Sequence, residues 1–150
     1  MASYRAVELS FAFFADSAAV PPDGKVYVLG GGFSALQLAQ LPGRAGFAVV
    51  AGFRFGPSDV GQTQQVEVRL VDSENKLVVP PANLQFQAQG AQLAPGQEVS
   101  LSTVTFLSPM FSEPGTYLVE FWYEQVRLSA INLHVVERQP PEPVPATRPN

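Results

Sequence analysis

Residues 116–123 read Thr-Tyr-Leu-Val-Glu-Phe-Trp-Tyr, a run of aromatic, β-branched and aliphatic side chains with a single charge. Such residues fit a pleated, half-buried surface. Glu113-Pro114-Gly115 in front of them is a turn signal. Alternate residues of a strand point to opposite faces. Tyr117, Val119, Phe121 and Tyr123 therefore form one face, which reads as core. Leu118, Glu120, Trp122 and Glu124 form the other, with the chain's only Trp between two acids.

The same grammar extends in both directions. Downstream, Val126 to Glu137 is a last strand, reached through Glu124-Gln125. Neither of those residues favours the positive φ of a two-residue hairpin, so a longer loop or a bulge is expected. Upstream, Val99 to Leu107, Leu84 to Ala88, Leu77 to Val79, Gln64 to Val71 and Phe47 to Phe55 read as strands, with Gly, Pro and Asp between them. Phe33 to Leu38 fits a strand or one helical turn. Lys25 to Leu29 follows the Asp23-Gly24 turn signal. Arg5 to Ala15 alternates through Val7, Leu9, Phe11 and Phe13, with Phe14 on the second face.

No long window holds a 3.6-residue period, and no internal repeat is evident. About eight or nine short strands with regular turn signals specify an all-β chain, an antiparallel β-sandwich of immunoglobulin-like or jelly-roll-like type. Its expected core is Val7, Leu9, Phe11, Phe13, Val28, Val49, Phe53, Val66, Val68, Leu70, Phe86, Leu101, Tyr117, Val119 and Phe121. The sandwich should occupy residues 1–137. From Arg138 onward five of thirteen residues are Pro, so 138–150 is expected to be a disordered tail. Its Pro140-Pro141-Glu142-Pro143 matches a Pro-x-x-Pro ligand, but a simple linker or frayed terminus is the favoured reading.

Composition narrows the function. The 150 residues carry a net charge of −4 with 15% charged side chains. There is no basic cluster of the kind phosphates require, so nucleic acid is not an expected partner. Cys is absent, which removes disulfides, thiolate nucleophiles and Cys-ligated metals and fits a cytoplasmic protein. Ala6 to Ala15 is interrupted by Glu8 and Ser10, unlike a secretory core. No stretch reaches the ~18 apolar residues of a membrane helix. A single His, His134, leaves a zinc site without ligands. No Gly-x-Ser-x-Gly elbow exists, and Gly32-Phe33-Ser34-Ala35-Leu36 matches only in part.

Three motifs invite chemistry. Gly30-Gly31-Gly32-Phe33-Ser34-Ala35 fits Gly-x-Gly-x-x-Ala after a strand, a dinucleotide fingerprint. The acidic residue expected about 20 positions later is missing, as are crossover helices. A glycine-permitted kink or bulge is the competing reading. Glu120 and Glu124 resemble a hydrolase carboxylate pair. Four residues of strand separate them by about 13 Å, beyond the ~6.5–9.5 Å of inverting enzymes. With Trp122 they suit binding better than catalysis. Met110 and Phe111, between Pro109 and Pro114, form an apolar loop that could dock a partner or cap the sandwich.

Asp16 and the segment Asp23-Gly24-Lys25-Val26-Tyr27-Val28-Leu29-Gly30-Gly31-Gly32 resemble the opening of an uncharacterised family of small bacterial β-sandwich proteins. Val68-Arg69-Leu70-Val71-Asp72 and Glu113-Pro114-Gly115-Thr116-Tyr117 extend the resemblance, which spans roughly Val7 to Val136. It implies a sandwich closing on a hairpin and a final strand. It brings no activity, cofactor or catalytic residue with it.

The expectation is thus a non-enzymatic binding or assembly module that self-associates, without cofactor or metal. Its candidate surface residues are Trp122, Glu120, Glu124, Met110 and Phe111. A carbohydrate- or small-ligand-binding sandwich using the Trp122 face is the alternative. A nucleotide-dependent enzyme acting through Gly30, Gly31 and Gly32 is the third reading.

Overall fold

The computed structural model describes residues 7–56, 61–87 and 97–139. The described chain contains strands and turns and no helix. Eleven strands occur in the order β1 (Val7–Ala19), β2 (Tyr27–Phe33), β3 (Ala35–Leu38), β4 (Gly43–Arg44), β5 (Phe47–Phe55), β6 (Thr63–Val71), β7 (Ala82–Gln87), β8 (Val99–Leu107), β9 (Met110–Phe111), β10 (Gly115–Tyr123) and β11 (Val126–Glu137). The count exceeds the expected eight or nine partly because β4 and β9 are two-residue strands paired with each other. Leu77 to Val79 is no strand; Leu77 makes a single bridge to Val71, and Pro80, which lacks an N–H, stops the ladder.

Two sheets form the sandwich. Sheet A runs β2-β1-β5-β8 and sheet B runs β3-β11-β10-β6-β7. All pairs are antiparallel except β3, which lies parallel to β11 along His134 to Glu137. The core lies between the sheets. Sheet A contributes Phe14, Val49, Phe53 and Phe55; sheet B contributes Val66, Val68, Val119 and Phe121. Phe53 bridges the layers, meeting Phe121 edge-on at 6.2 Å and stacking on Phe86 at 5.4 Å. Burying a side chain such as Phe contributes about 1.5–3 kcal/mol, so this aromatic seam anchors the two sheets.

Two bulges decide which residues face inward. In β1, Leu9 pairs with Phe53 but Phe11 pairs with Gly52, so Ser10 is an extra residue. Beyond it the parity of β1 reverses. Phe11 and Phe13, expected in the core, lie opposite Gly52 and Val50 on the outer side of sheet A, and Phe14, expected on the second face, is buried. Val28 also departs from the expected core, packing in a separate apolar cluster with Ala15, Ala18, Ala48 and Val50. The second bulge sits where Phe14 pairs with Phe33 and Ala15 with Gly31, leaving Gly32 as the extra residue at φ +94°. Gly30 has φ +63°, and a Cβ there would lie 2.1 Å from Asp16 Oδ2. The glycines thus serve strand geometry. The segment after them is strand β3 rather than a helix, so the helix N-terminus that a dinucleotide fingerprint requires is missing.

The hairpin between β10 and β11 departs from expectation too. Tyr123 pairs with Val126, so Glu124-Gln125 is the whole loop, with φ +47° and +66°. Positive φ at both central residues is the type I′ signature, whose twist matches that of the strands. The only irregularity of this pair lies away from the turn: Phe121 pairs with Ser129 and Trp122 with Arg127, leaving Leu128 of β11 unpaired.

Candidate functional site

The registers place Glu67 and Arg69 of β6 and Arg127 of β11 beside Glu120 and Trp122 of β10 on the outer face of sheet B. The Arg69 guanidinium carbon lies 4.4 Å from the centre of the Trp122 ring, within the ~6 Å of a cation–π contact. Its Nε pairs with the Glu67 carboxylate, which holds the guanidinium over the ring. The indole Nε1 of Trp122 donates to Glu120 Oε1 at 3.3 Å, and Arg127 donates to Glu120 Oε2 at 3.0 Å. The Glu120 side chain is 5% exposed, against 50% for Arg127. Both oxygens of this buried carboxylate are therefore engaged, as burial of a charge demands.

Trp122 separates two depressions. One, of about 240 Å³, is lined by Gln65, Glu67, Arg69, Asn83, Trp122, Glu124 and Gln125. The other, of about 330 Å³, touches Glu67, Arg69, Val71, Asn75, Leu77, Glu120 and Trp122. Of the residues singled out from the sequence, Glu120 and Trp122 are in direct contact, and Glu124 joins Trp122 only at the rim of the first depression. Glu124 was expected on the strand face; its position in the turn removes it from that face. Arg69 and Arg127 were not singled out. Arg69 was legible as outward-facing beside Glu67, but its place above Trp122 depends on β6 being the neighbour of β10, which no local signal specifies.

Met110 and Phe111 are also separated. Phe111 is fully buried and meets the Tyr117 ring edge-on at 4.8 Å, so it caps the core and cannot dock a partner. Met110 is 46% exposed. It lines a depression of about 440 Å³ with Asp72, Glu74, Leu77, Glu113 and Tyr117. Burial, and then the nearby Asp72 and Glu113 carboxylates, hold the Tyr117 phenol above its usual 10.0. Its hydroxyl donates to the Glu113 carbonyl at 2.6 Å. His134 shares a hydrogen bond of 3.0 Å with the Thr116 hydroxyl on the exposed surface. Among the described residues no group of three or more His, Asp or Glu is placed to hold a metal ion.

The outer face of sheet A differs in character. Cross-strand partners share a face, so the registers generate rows: Ala15–Ala48–Phe106, Phe13–Val50–Val104 and Phe11–Gly52–Ser102. The last row closes because Gly52 has no side chain; a Cβ there would lie 2.1 Å from the Phe11 ring. Phe11 and Phe13 stack at 6.0 Å. Phe106 remains 64% exposed and Phe11 39%. A polar row borders the patch, where Arg54 bonds Glu8 at 2.9 Å. Val99 to Leu107 carries Ser and Thr among its apolar residues, and only the pairing with β5 shows Val104 and Phe106 beside Val50 and Ala48.

The model of a family of unknown function, DUF6941, matches residues 10–136. The chain belongs to that family. DUF6941 thus covers the sandwich from β1 to the penultimate residue of β11. A comparison with curated proteins finds no match. Among solved structures, the chain is similar to a part of the β-glucosidase from Listeria innocua in complex with isofagomine, at 16% identity and a TM-score of 0.44, covering 87% of this chain and 16% of that one. It is similar to a part of the alkylpurine DNA glycosylase AlkC from Pseudomonas fluorescens bound to DNA containing an abasic site analog, at 14% identity and a TM-score of 0.37, over 89% of this chain and 31% of the other. An immunoglobulin-like protein from Pseudomonas aeruginosa is matched at 10% identity and a TM-score of 0.36, over 86% of this chain and 95% of that one. The chain spans only 14–16% of the glucosidase chains. No helix among the described residues is long and apolar enough to cross a membrane.

Proposed function

We propose that this DUF6941 chain is a non-enzymatic binding and assembly module, cytoplasmic, that self-associates through sheet A. The observation that carries the reading is the pair of rings left exposed on the outer side of sheet A, Phe106 at 64% and Phe11 at 39%, beside a layer of Ala15, Ala48 and Val50 that is itself buried. An exposed apolar patch bordered by polar residues is the usual mark of an interaction surface. The acid with most potential for chemistry, Glu120, is committed to Trp122 and Arg127, which favours a scaffolding role for it. Sedimentation equilibrium on the full chain, and on a chain ending at residue 137, tests the reading. A defined oligomer in both supports it; a monomer in both at high concentration overturns it.

A second reading rests on the Trp122 face. Two depressions flank an indole bordered by carboxylates, a guanidinium and the Asn83 amide, a set of groups suited to a polyhydroxylated or zwitterionic small ligand. Trp fluorescence titrated with a glycan panel tests it, since Trp122 is the only indole. An unchanged spectrum throughout removes this reading.

A further inference from the structure

We propose that β8 pairs antiparallel with β8 of a second copy of this chain, so that the two A sheets join into one sheet of eight strands. This inference rests on self-association through sheet A and assigns its contact. A sheet edge offers a row of unpaired N–H and C=O groups, and proteins usually blunt such edges with charge, Pro, bulges or brevity. Sheet A ends on β2 and β8. The β2 edge is interrupted by positive-φ glycines and the Gly32 bulge. At the margins of sheet B, β3 has four residues and β7 has six, the latter following Pro80-Pro81. β8 has none of these devices. Its nine residues pair one-to-one with β5 from Phe47 to Phe55 without a bulge. Its sequence, Val-Ser-Leu-Ser-Thr-Val-Thr-Phe-Leu, contains no charge, Pro or Gly. Among the described residues no strand borders its other side.

A second copy suits this edge better than a foreign strand. Two identical antiparallel strands related by a two-fold axis match each other's hydrogen-bonding groups, and an uncharged strand brings no repulsion to its own copy. The outward side chains also fit. With the axis at Thr103, Phe106 falls opposite Ser100 of the partner; with the axis at Val104, it falls opposite Ser102. Large thus meets small in either register, and the most exposed ring on β8 gains cover. With the axis at Val104, the Phe13–Val50–Val104 row would also meet its own copy across the junction.

Amide hydrogen exchange by NMR on the full chain, at dilute and concentrated conditions, tests the pairing. In an unpaired edge strand only alternate amides, those bonded to β5, are protected. Pairing protects the outward set as well. Where nine-tenths of the chain is paired, exchange from the outward amides should slow about tenfold, since it proceeds from the unpaired fraction. Slowing confined to the outward amides of β8 supports the proposal. An oligomer whose outward β8 amides exchange equally fast at both concentrations overturns edge pairing and leaves self-association standing. A monomer under all conditions overturns both.

Discussion

The Glu124-Gln125 turn offers a sharp test, because its two residues adopt a backbone that neither side chain favours. Their φ values of +47° and +66° place both in the left-handed region, at a cost of roughly 1 kcal/mol or somewhat more for each ordinary residue. Asn tolerates that region and Gly enters it freely. The double substitution Glu124→Asn, Gln125→Gly should therefore recover up to about 2 kcal/mol in the folded state. Gly also raises the entropy of the unfolded chain, at a cost of about 0.4–1 kcal/mol. The net expectation is about 1 kcal/mol of stabilisation, which for a chain of this size raises Tm by about 2–4 °C. The reverse change, Gln125→Val, puts a β-branched side chain at positive φ and should lower stability by at least about 1 kcal/mol. Calorimetry and urea unfolding measure both. The turn also fixes the register that sets Trp122 opposite Arg127, and a slip of one residue would exchange the inward and outward side chains of β11 against β10, removing Arg127 from the Glu120–Trp122 face. A destabilised Asn-Gly variant together with an unaffected Val variant would refute a two-residue turn of this class.

Further predictions follow from individual contacts. Tyr123→Phe deletes the donor to buried Gln64 Oε1 at 2.9 Å and should cost about 1–3 kcal/mol in urea unfolding, the penalty of an unsatisfied buried group. Phe53→Ala empties the aromatic seam between the sheets and should cost about 3–5 kcal/mol, enough to make the fold marginal at 37 °C. Gly30→Ala should destabilise more than Gly32→Ala, because the first adds a clash with Asp16 to an unfavourable φ while the second meets open space; Gly32→Ala alone should cost about 1 kcal/mol. The Tyr117 phenol, raised by burial, and the Tyr27 phenol, raised by donating to Asp23 Oδ2, should both titrate late in ultraviolet absorbance, and Tyr27→Phe isolates the Tyr117 component. Because the folded value of Tyr117 lies above the unfolded one, the associated stability is fully present below pH 10.0 and is lost as pH rises through the folded value.

Strand identity was written locally, and the facing of side chains was not. Tyr117, Val119 and Phe121 alternate with Leu118, Glu120 and Trp122, and β10 displays them so, because that strand bulges only on its partner's side. Val7, Leu9, Phe11 and Phe13 alternate equally well, yet the inserted Ser10 sends the second pair to the opposite face. Alternation cannot reveal a bulge, since the extra residue is recognised only by what it fails to pair with. Gly52 was the available hint: a strand glycine often marks close approach of another group, here the Phe11 ring. The Trp122 cluster was half legible. Glu120 and Trp122 share a face by sequence alone, whereas Arg69 and Arg127 join them through pairings of β10 with two other strands. Glu124 was misplaced because the hairpin accepts two residues that turn propensity disfavours.

Self-association through sheet A and ligand binding at the Trp122 face make opposite demands on two residues, Phe106 and Trp122. Sedimentation equilibrium on Phe106→Ser and Trp122→Ala, beside the unaltered chain, tests self-association through sheet A most directly. Phe106→Ser, a change at a 64%-exposed position, should weaken self-association by at least about tenfold, as loss of ~1.4 kcal/mol of interface energy would, while Trp122→Ala leaves the oligomer intact. Unchanged assembly in Phe106→Ser with dissociation in Trp122→Ala would contradict it and move the interface to sheet B.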